Sequence, residues 1–204
     1  NAEVLGTDIS KQSLKVCRKN ADQIGIRNLE LEEKSLNSVS YKDEFDYVIC
    51  TGVVHHNAAP ALTLAKISAA LKRDGVMEFM VYNYYHRLMT TACQKAIKNF
   101  YDVEQVVDLD LELSLIKDLM KGFKYNNLMG EYIQSYTNSP EAEMADMLLQ
   151  PLEHSYTIET MEQLINSCNL EYLLHCQNQF DKSNTALNWN LSLENDRIQE
   201  QYNR

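Results

Sequence analysis

Two adjacent histidines, His55 and His56, follow an apolar strand pattern that ends at Thr51. An imidazole titrates near neutral pH, so either side chain could act as a general base. Neighbouring residues of an extended segment point in opposite directions, and no cluster of Asp, Glu or Cys lies nearby in sequence, so a metal site is not expected. We expect one histidine to pack beneath the following helix and the other to face a cleft.

A second polar strand end is Asp8, which closes the strand pattern of residues 3–7. A carboxylate at the carboxyl edge of a parallel sheet can accept hydrogen bonds from both hydroxyls of a ribose. The simpler alternative is an acid that is favoured by the dipole of the following helix. Open α/β sheets bind ligands at this edge, so Asp8 and the histidines together suggest one cofactor cleft.

Other candidate residues also come after predicted strands. Ser35 and Leu36 could meet the amino edge and the face of an adenine, although a solvated loop with one anchoring leucine is equally compatible. Four residues with aromatic rings or an amide follow a later strand: Tyr82, Asn83, Tyr84 and Tyr85. Such residues suit the binding of a small, partly apolar molecule, although they could equally form an ordinary aromatic cap where strand meets helix. Tyr156, later in the chain, could close over the same site.

The composition argues against several classes of partner. The 204 residues suit one domain, and a formal net charge of −10 argues against nucleic acid, whose protein partners usually present basic surfaces. No stretch approaches the roughly 18 apolar residues of a membrane span, and no secretion signal is recognisable, so no membrane partner is expected. Five scattered cysteines without a Cys-x-x-Cys pair favour a cytoplasmic location, and nothing indicates an oligomeric state.

The order of the apolar patterns predicts an α/β fold with a mostly parallel sheet and right-handed crossovers. Ser10 can cap the first helix, and Pro60 suits the first turn of the second. Lys72 and Gly75 predict the end of that second helix, which a strand at residues 76–82 then follows.

The second half of the chain changes to helical spacing, although residues 107–113 alternate with the period of a strand. Thr157 can cap a later helix, and residues 170–176 then predict a strand. Four regions are therefore expected: a partial cofactor-binding core at 1–83, a helical insertion or lid at 84–150, a returning helix and strand at 151–180, and a polar tail at 181–204.

In combination, these patterns resemble the class I S-adenosyl-methionine-dependent methyltransferases, in particular the type 11/12-like group. Four motifs stand in the order of that family: Val4-Leu5-Gly6-Thr7-Asp8-Ile9-Ser10, Phe45-Asp46-Tyr47-Val48, Thr51-Gly52-Val53-Val54-His55-His56 and Leu71-Lys72-Arg73-Asp74-Gly75-Val76. Two more resemble a subgroup with a helical insertion after the fifth strand: Met80-Val81-Tyr82-Asn83-Tyr84-Tyr85 and Ser155-Tyr156-Thr157-Ile158. The resemblance covers residues 3–87 well and residues 141–176 more weakly.

The resemblance implies a Rossmann-like, doubly wound sheet that binds S-adenosyl-methionine. The residues implied at the cofactor are Asp8 at the ribose, Ile9, Ser35 and Leu36 at the adenine, and Thr51, Gly52 and Val53 at the methionine moiety. The two histidines and the residues Tyr82 to Tyr85 would face the methyl acceptor. The first strand and the glycine-rich loop of the family have no counterpart in this sequence, so we expect an N-terminally incomplete chain.

The implied function is methyl transfer from S-adenosyl-methionine to an oxygen or nitrogen nucleophile of a small molecule, by part of a longer enzyme. One alternative is a non-catalytic binding module that retains the same fold. A nicotinamide-dependent oxidoreductase also uses an acid at its second strand end, but its hydride-site Tyr-Lys pair is not recognisable here.

Overall fold

A computed structural model describes residues 2–99, 108–122, 127–173, 176–181 and 186–191. Strands and helices alternate in its first half, in the order β1 (Val4–Asp8), α1 (Lys11–Gln23), β2 (Leu29–Glu33), β3 (Phe45–Thr51), α2 (Pro60–Ala70) and β4 (Leu71–Met80). Strand β1 pairs in parallel with β2, and β3 pairs in parallel with β4. The predicted α/β fold with parallel strands is confirmed.

The second half is mainly helical before it returns to strands. Its elements are β5 (Tyr82–Asn83), α3 (Leu88–Lys98), α4 (Leu109–Gly122), α5 (Leu128–Gln134), α6 (Glu141–Leu148), β6 (Ser155–Tyr156), α7 (Ile158–Ser167), β7 (Cys176–Asp181) and β8 (Ala186–Leu191). Strands β5 and β6 are parallel neighbours, whereas β7 and β8 form an antiparallel pair. Within the described ranges, no helix has the length and apolar character that crossing a membrane requires.

Three helices begin as their sequences predict. The Ser10 hydroxyl accepts a hydrogen bond from the Ser13 backbone N–H at 3.2 Å and so caps α1. Pro60 occupies the first turn of α2, where the N–H that proline lacks has no helical partner in any case. Thr157 and Thr160 bond each other's backbone N–H groups at the start of α7, at distances of 3.3 and 2.9 Å.

The junction between α2 and β4 differs from the prediction. The helix ends before Leu71, so Lys72 and Gly75 lie in β4 rather than at a helix end, and the strand predicted at residues 76–82 begins earlier. A Cβ atom on Gly75 would lie 3.0 Å from the Phe45 carbonyl oxygen, at an irregularity in the register of β3 and β4. The glycine therefore permits a close approach of two strands at a bulge.

The C-terminal elements also differ in their bounds from the prediction. Of the strand expected at residues 170–176, residues 170–173 are not in a strand, residues 174–175 lie outside the described part of the chain, and Cys176 is the first residue of β7. The range 181–204, expected to be a polar tail, contains β8, while residues 182–185 and 192–204 lie outside the described part of the chain. The β8 sequence alternates apolar residues with asparagine, a period-two signal that its polar surroundings conceal.

Two clusters of buried apolar side chains lie in different parts of the chain. The sheet core joins the end of β3 with α2 and α7: Cys50, Val54, Leu64, Ile67, Leu164 and Cys168. The helical core joins α3 to α6: Cys93, Ile97, Leu113, Ile116, Met120, Ile133, Met144, Leu148 and Leu149. Each fully buried leucine contributes about 1.5–3 kcal/mol. Helix α4 forms despite its alternating sequence because its buried residues meet the helical core at helical spacing; residue 107 lies outside the described residues.

Candidate active site

Asp8 ends β1 at the carboxyl edge of the β1–β2 pair. Its side chain is half-buried, and its Oδ1 accepts a hydrogen bond from the Ser10 backbone N–H at 2.7 Å. Its second carboxylate oxygen has no hydrogen-bond partner among the described residues, so that oxygen can accept a ligand hydroxyl. Ile9 beside it is 74% exposed and can cover an apolar ligand face.

The loop after β2 holds the two residues expected at the adenine. The Ser35 hydroxyl accepts a hydrogen bond from the Asn37 N–H at 3.2 Å and so starts a short 3-10 turn, Leu36–Ser38. Leu36 is half-buried and packs against the sheet core. A hydroxyl that accepts one hydrogen bond can still donate another, so Ser35 keeps a donor for a ligand.

The turn after β3 spans residues 51–56. Gly52 has a φ of +77°, a backbone conformation that side chains rarely adopt, so the chain turns sharply here. Thr51 and Val53 are exposed, whereas His55 is completely buried. This segment, called the histidine turn below, therefore presents both exposed and buried groups at the end of β3.

One hydrogen bond connects the loop after β2 with Asn57, the residue that follows the histidine turn. The Asn37 side-chain amide donates to Asn57 Oδ1 at 3.0 Å, and the Thr63 hydroxyl donates to Asn37 Oδ1 at 2.5 Å. Thr63 is completely buried in α2, so this link is anchored to the sheet core. The segments that follow β2 and β3 consequently adjoin each other.

The His55 ring contacts two other rings. Its ring centroid is 4.1 Å from that of His56 and 4.1 Å from that of Tyr82. Neither ring nitrogen has a hydrogen-bond partner among the described residues, and burial, with a smaller contribution from His56, lowers the pKa of His55 to about 4. His55 is therefore neutral at physiological pH and poorly suited to take a proton from an acceptor.

Replacing His55 by Phe is expected to make the protein less sensitive to acid. The unfolded histidine binds a proton near pH 6.5, whereas the folded one does so only near pH 4. The contribution of the neutral His55 to the free energy of unfolding is therefore complete above pH 6.5 and is lost as the pH falls from 6.5 to 4. This pKa difference corresponds to about 3 kcal/mol of unfolding free energy. The Phe variant should not show this acid-induced loss, because phenylalanine does not titrate. Urea unfolding of both proteins at pH 7.5 and pH 4.5 measures the difference; equal acid-induced losses would contradict the expectation.

His56 is half-buried and is oriented by a backbone carbonyl group. Its Nδ1 lies 3.1 Å from the Leu152 carbonyl oxygen. Because that oxygen can only accept, Nδ1 carries the proton of the neutral ring, and Nε2 is left as an acceptor. A general base is commonly held by a third group in this way, so His56 rather than His55 is the candidate base.

The aromatic residues expected at the acceptor lie around β5 and β6. Asn83 is the register partner of Tyr156, and the Tyr84 N–H donates to the Tyr156 carbonyl at 2.8 Å. Tyr84 and Tyr85 are 44% and 68% exposed, and their rings meet edge to face with centroids 5.4 Å apart. The Tyr82 ring contacts the buried His55 ring, so the structure brings Tyr82 to the histidine turn.

A buried ion pair that the sequence did not indicate lies next to these tyrosines. Arg87 Nε donates to Glu153 Oε1 at 2.8 Å, and Arg87 Nη2 donates to Glu153 Oε2 at 2.5 Å. Each side chain is only 2% exposed, and the guanidinium also lies 4.3 Å from the centroid of the Tyr82 ring. The two residues are 66 positions apart, so no local pattern could reveal their pairing.

Residues 152–156 form a strap that contacts the histidine turn at two points. The Leu152 carbonyl faces His56 Nδ1, and the His154 N–H donates to the His55 carbonyl at 2.9 Å. Glu153 of the strap carries the buried ion pair, and the last two strap residues are β6. The strap therefore joins the histidine turn, β5 and the start of α3.

A family model described as a methyltransferase domain matches residues 1–147. The uncharacterized protein syc1184_c of Synechococcus sp. is 26% identical over 178 residues, which cover 85% of this chain and 42% of that protein. A ubiquinone biosynthesis O-methyltransferase of Actinobacillus pleuropneumoniae is 30% identical over 40% of this chain and 37% of its own length. The chain thus spans less than half the length of these curated relatives.

Two solved structures have a fold similar to that of this chain. PKMT2 from Rickettsia typhi, in complex with AdoHcy, superposes with a TM-score of 0.57 at 17% identity, covering 85% of this chain and 34% of that one. A putative methyltransferase from Bacillus halodurans C-125 superposes with a TM-score of 0.50 at 14% identity, covering 87% and 58%. The family model matches well over half of the residues, so the chain belongs to the methyltransferase domain family and has the Rossmann-like fold of the class I S-adenosyl-methionine-dependent enzymes that its sequence resembles.

Proposed function

We propose that this chain binds S-adenosyl-methionine and transfers the methyl group of this cofactor to an oxygen or nitrogen nucleophile of a small molecule. The observation that carries the proposal is the hydrogen-bonded junction between the segments that follow β2 and β3, in a chain of the methyltransferase domain family. This junction supports one shared edge for the residues expected at the cofactor. The AdoHcy complex of the similar Rickettsia typhi protein supports a cofactor of this kind.

The side chains at this edge suit the parts of the cofactor. The residues proposed to contact it are Asp8 at the ribose hydroxyls, Ile9, Ser35 and Leu36 at the adenine, and Thr51, Gly52 and Val53 at the methionine moiety. Asp8 fits its role because one carboxylate oxygen is engaged by Ser10 and the other has no partner among the described residues. The bound cofactor supplies an activated methyl group, and the chain supplies position and shielding from water.

His56 is proposed as the general base for the acceptor. A neutral hydroxyl is a weak nucleophile until a base removes its proton, and the Nε2 of His56 is the nitrogen left free to accept. The neutral His55 ring contacts that of His56, with centroids 4.1 Å apart and 48° between the ring planes. The two histidines therefore have different proposed roles, proton transfer for one and packing for the other.

A small, partly apolar acceptor is proposed from the surface beside the base. Tyr82, Asn83, Tyr84, Tyr85 and Tyr156 offer aromatic faces with polar tips, a combination that suits such a molecule. The name of the Actinobacillus relative supports an oxygen acceptor, and the net charge of −10 supports a metabolite rather than a nucleic acid. Four described cysteines are unpaired, which supports the proposed cytoplasmic location.

Replacing Tyr85 by Ala is expected to raise the KM for the acceptor about 5- to 30-fold, since a lost aromatic contact corresponds to about 1–2 kcal/mol. The ring is 68% exposed, so its removal leaves both hydrophobic cores intact. Steady-state kinetics and calorimetry with S-adenosyl-methionine separate the two ligands. Tyr85→Phe is the matched control because it keeps the ring, and an unchanged KM in Tyr85→Ala would remove this residue from the acceptor site.

Transfer of a radiolabelled methyl group tests the proposed function. The full-length protein is incubated with methyl-labelled S-adenosyl-methionine and a panel of phenols, catechols and primary amines, with a reaction lacking acceptor as the control. We expect acceptor-dependent label in at least one product. Cofactor binding without transfer to any acceptor would instead favour a non-catalytic binding module.

A further inference from the structure

We propose that Arg87 and Glu153 are positioning residues, which hold His56 in the tautomer and orientation that proton transfer requires. They act through the strap and through Tyr82 rather than by contact with a ligand. The catalytic consequence rests on the proposed function of His56, whereas the effect on the His56 ring does not.

The first route runs through the strap. Glu153 directly follows Leu152, whose carbonyl oxygen lies 3.1 Å from His56 Nδ1. Both Glu153 oxygens are bonded by one guanidinium, at 2.8 and 2.5 Å, so the peptide that carries this carbonyl has little freedom. A displacement of about 1 Å would take the carbonyl out of hydrogen-bond range. The ion pair therefore fixes the group that selects the His56 tautomer.

The second route is a cluster of rings in contact with the guanidinium. The Arg87 guanidinium lies 4.3 Å from the Tyr82 ring centroid, and the Tyr82 and His55 centroids are 4.1 Å apart. The His55 centroid is in turn 4.1 Å from that of His56. The His55 ring is tilted by 48° to both of these rings, and the Tyr82 and His56 rings also meet edge to face with centroids 5.7 Å apart. The cation and the three rings thus form one contact cluster, in which the Glu153 carboxylate holds the cation. A shift of the guanidinium is passed through this cluster to the His56 ring.

Stability alone does not explain this ion pair. Buried ion pairs can often be replaced by apolar residues of similar volume without loss of stability, because burial of two charges offsets their attraction. What apolar residues cannot reproduce is direction, since the planar guanidinium fixes a carboxylate through two parallel hydrogen bonds. The feature that this geometry serves here is the orientation of the strap against the histidine turn.

The double variant Arg87→Met with Glu153→Leu, made in the full-length protein, tests the proposal. It keeps the buried volume and leaves no unpaired charge, so we expect a melting temperature close to that of the wild type. Imidazole nitrogen NMR of His56, assigned with the His56→Gln variant, should change from the Nδ1–H tautomer to a mixture. The kcat for methyl transfer should fall about 10- to 100-fold, while the Kd for S-adenosyl-methionine stays unchanged.

Two further variants keep the test decisive. Glu153→Gln retains the length and shape of the side chain and replaces the double variant in the test if that variant does not fold. It should shift the His56 tautomer in the same direction as the double variant. Glu141→Gln breaks the exposed Lys117–Glu141 pair of the helical segment, whose side chains are 42% and 64% exposed, and should leave His56 unchanged.

The outcomes separate the two proposals. A wild-type His56 tautomer in the double variant, or in Glu153→Gln if only that variant folds, would overturn the positioning role. If His56→Gln itself retains full kcat, the base role fails, and the NMR result still decides whether the ion pair orients the ring.

Discussion

Asp8→Asn is expected to weaken the binding of S-adenosyl-methionine to the full-length protein about 100-fold or more. A hydrogen bond to a charged group contributes about 1.5–3 kcal/mol, and a ribose presents two hydroxyls. Asparagine keeps a side-chain oxygen for the 2.7 Å hydrogen bond from the Ser10 N–H, so the entry into α1 is preserved. Isothermal titration calorimetry measures the loss.

Glu33→Gln is the matched control for this measurement. Glu33 is the register partner of Asp8 on β2, and its exposed carboxylate pairs with Lys11 at 3.2 Å. Its loss should leave the cofactor affinity unchanged, because the residue has no proposed contact with the ribose. Wild-type affinity in Asp8→Asn would remove Asp8 from the site.

His56→Gln is expected to lower kcat for methyl transfer by about 10²- to 10⁴-fold, the usual contribution of a general base, without changing the Kd for S-adenosyl-methionine. Glutamine can still donate a hydrogen bond towards the Leu152 carbonyl, so the strap keeps a partner. It cannot take up a proton near neutral pH. Steady-state kinetics with the best acceptor of the panel, together with calorimetry, separates the two effects.

His86→Gln is the control for the loss of an imidazole in this region. The His86 side chain is exposed and has no hydrogen-bond partner among the described residues, and its backbone N–H donates to Asn83 Oδ1 at 3.0 Å. This variant should keep the wild-type kcat. Full turnover in His56→Gln would end the proposal that His56 is the base.

Local patterns were sufficient to predict much of the fold. Ser10, Pro60 and Thr157 start helices where the sequence predicts them, because capping depends on neighbouring residues. Gly75 shows where local patterns fail. A glycine after Lys72 is typical of a helix end, but the close approach of β3 makes it part of a strand, and that approach is a long-range contact.

The candidate site was predicted in part for the same reason. The two histidines are recognisable from their type and from the strand before them, but the sequence does not reveal which one is buried. That depends on Tyr82, which lies on a different strand and contacts the His55 ring. Arg87 and Glu153 lie on either side of the helical segment, and only the folded chain shows that they meet.

Equilibrium dialysis of the full-length protein against radiolabelled S-adenosyl-methionine, with AdoHcy and NAD as unlabelled competitors, tests the presence of the nucleoside-binding site most directly. We expect the label to bind, AdoHcy to displace it and NAD to leave it in place, with the Asp8→Asn variant retaining little. Binding of NAD but not of S-adenosyl-methionine, or undiminished label on Asp8→Asn, would contradict the proposed site.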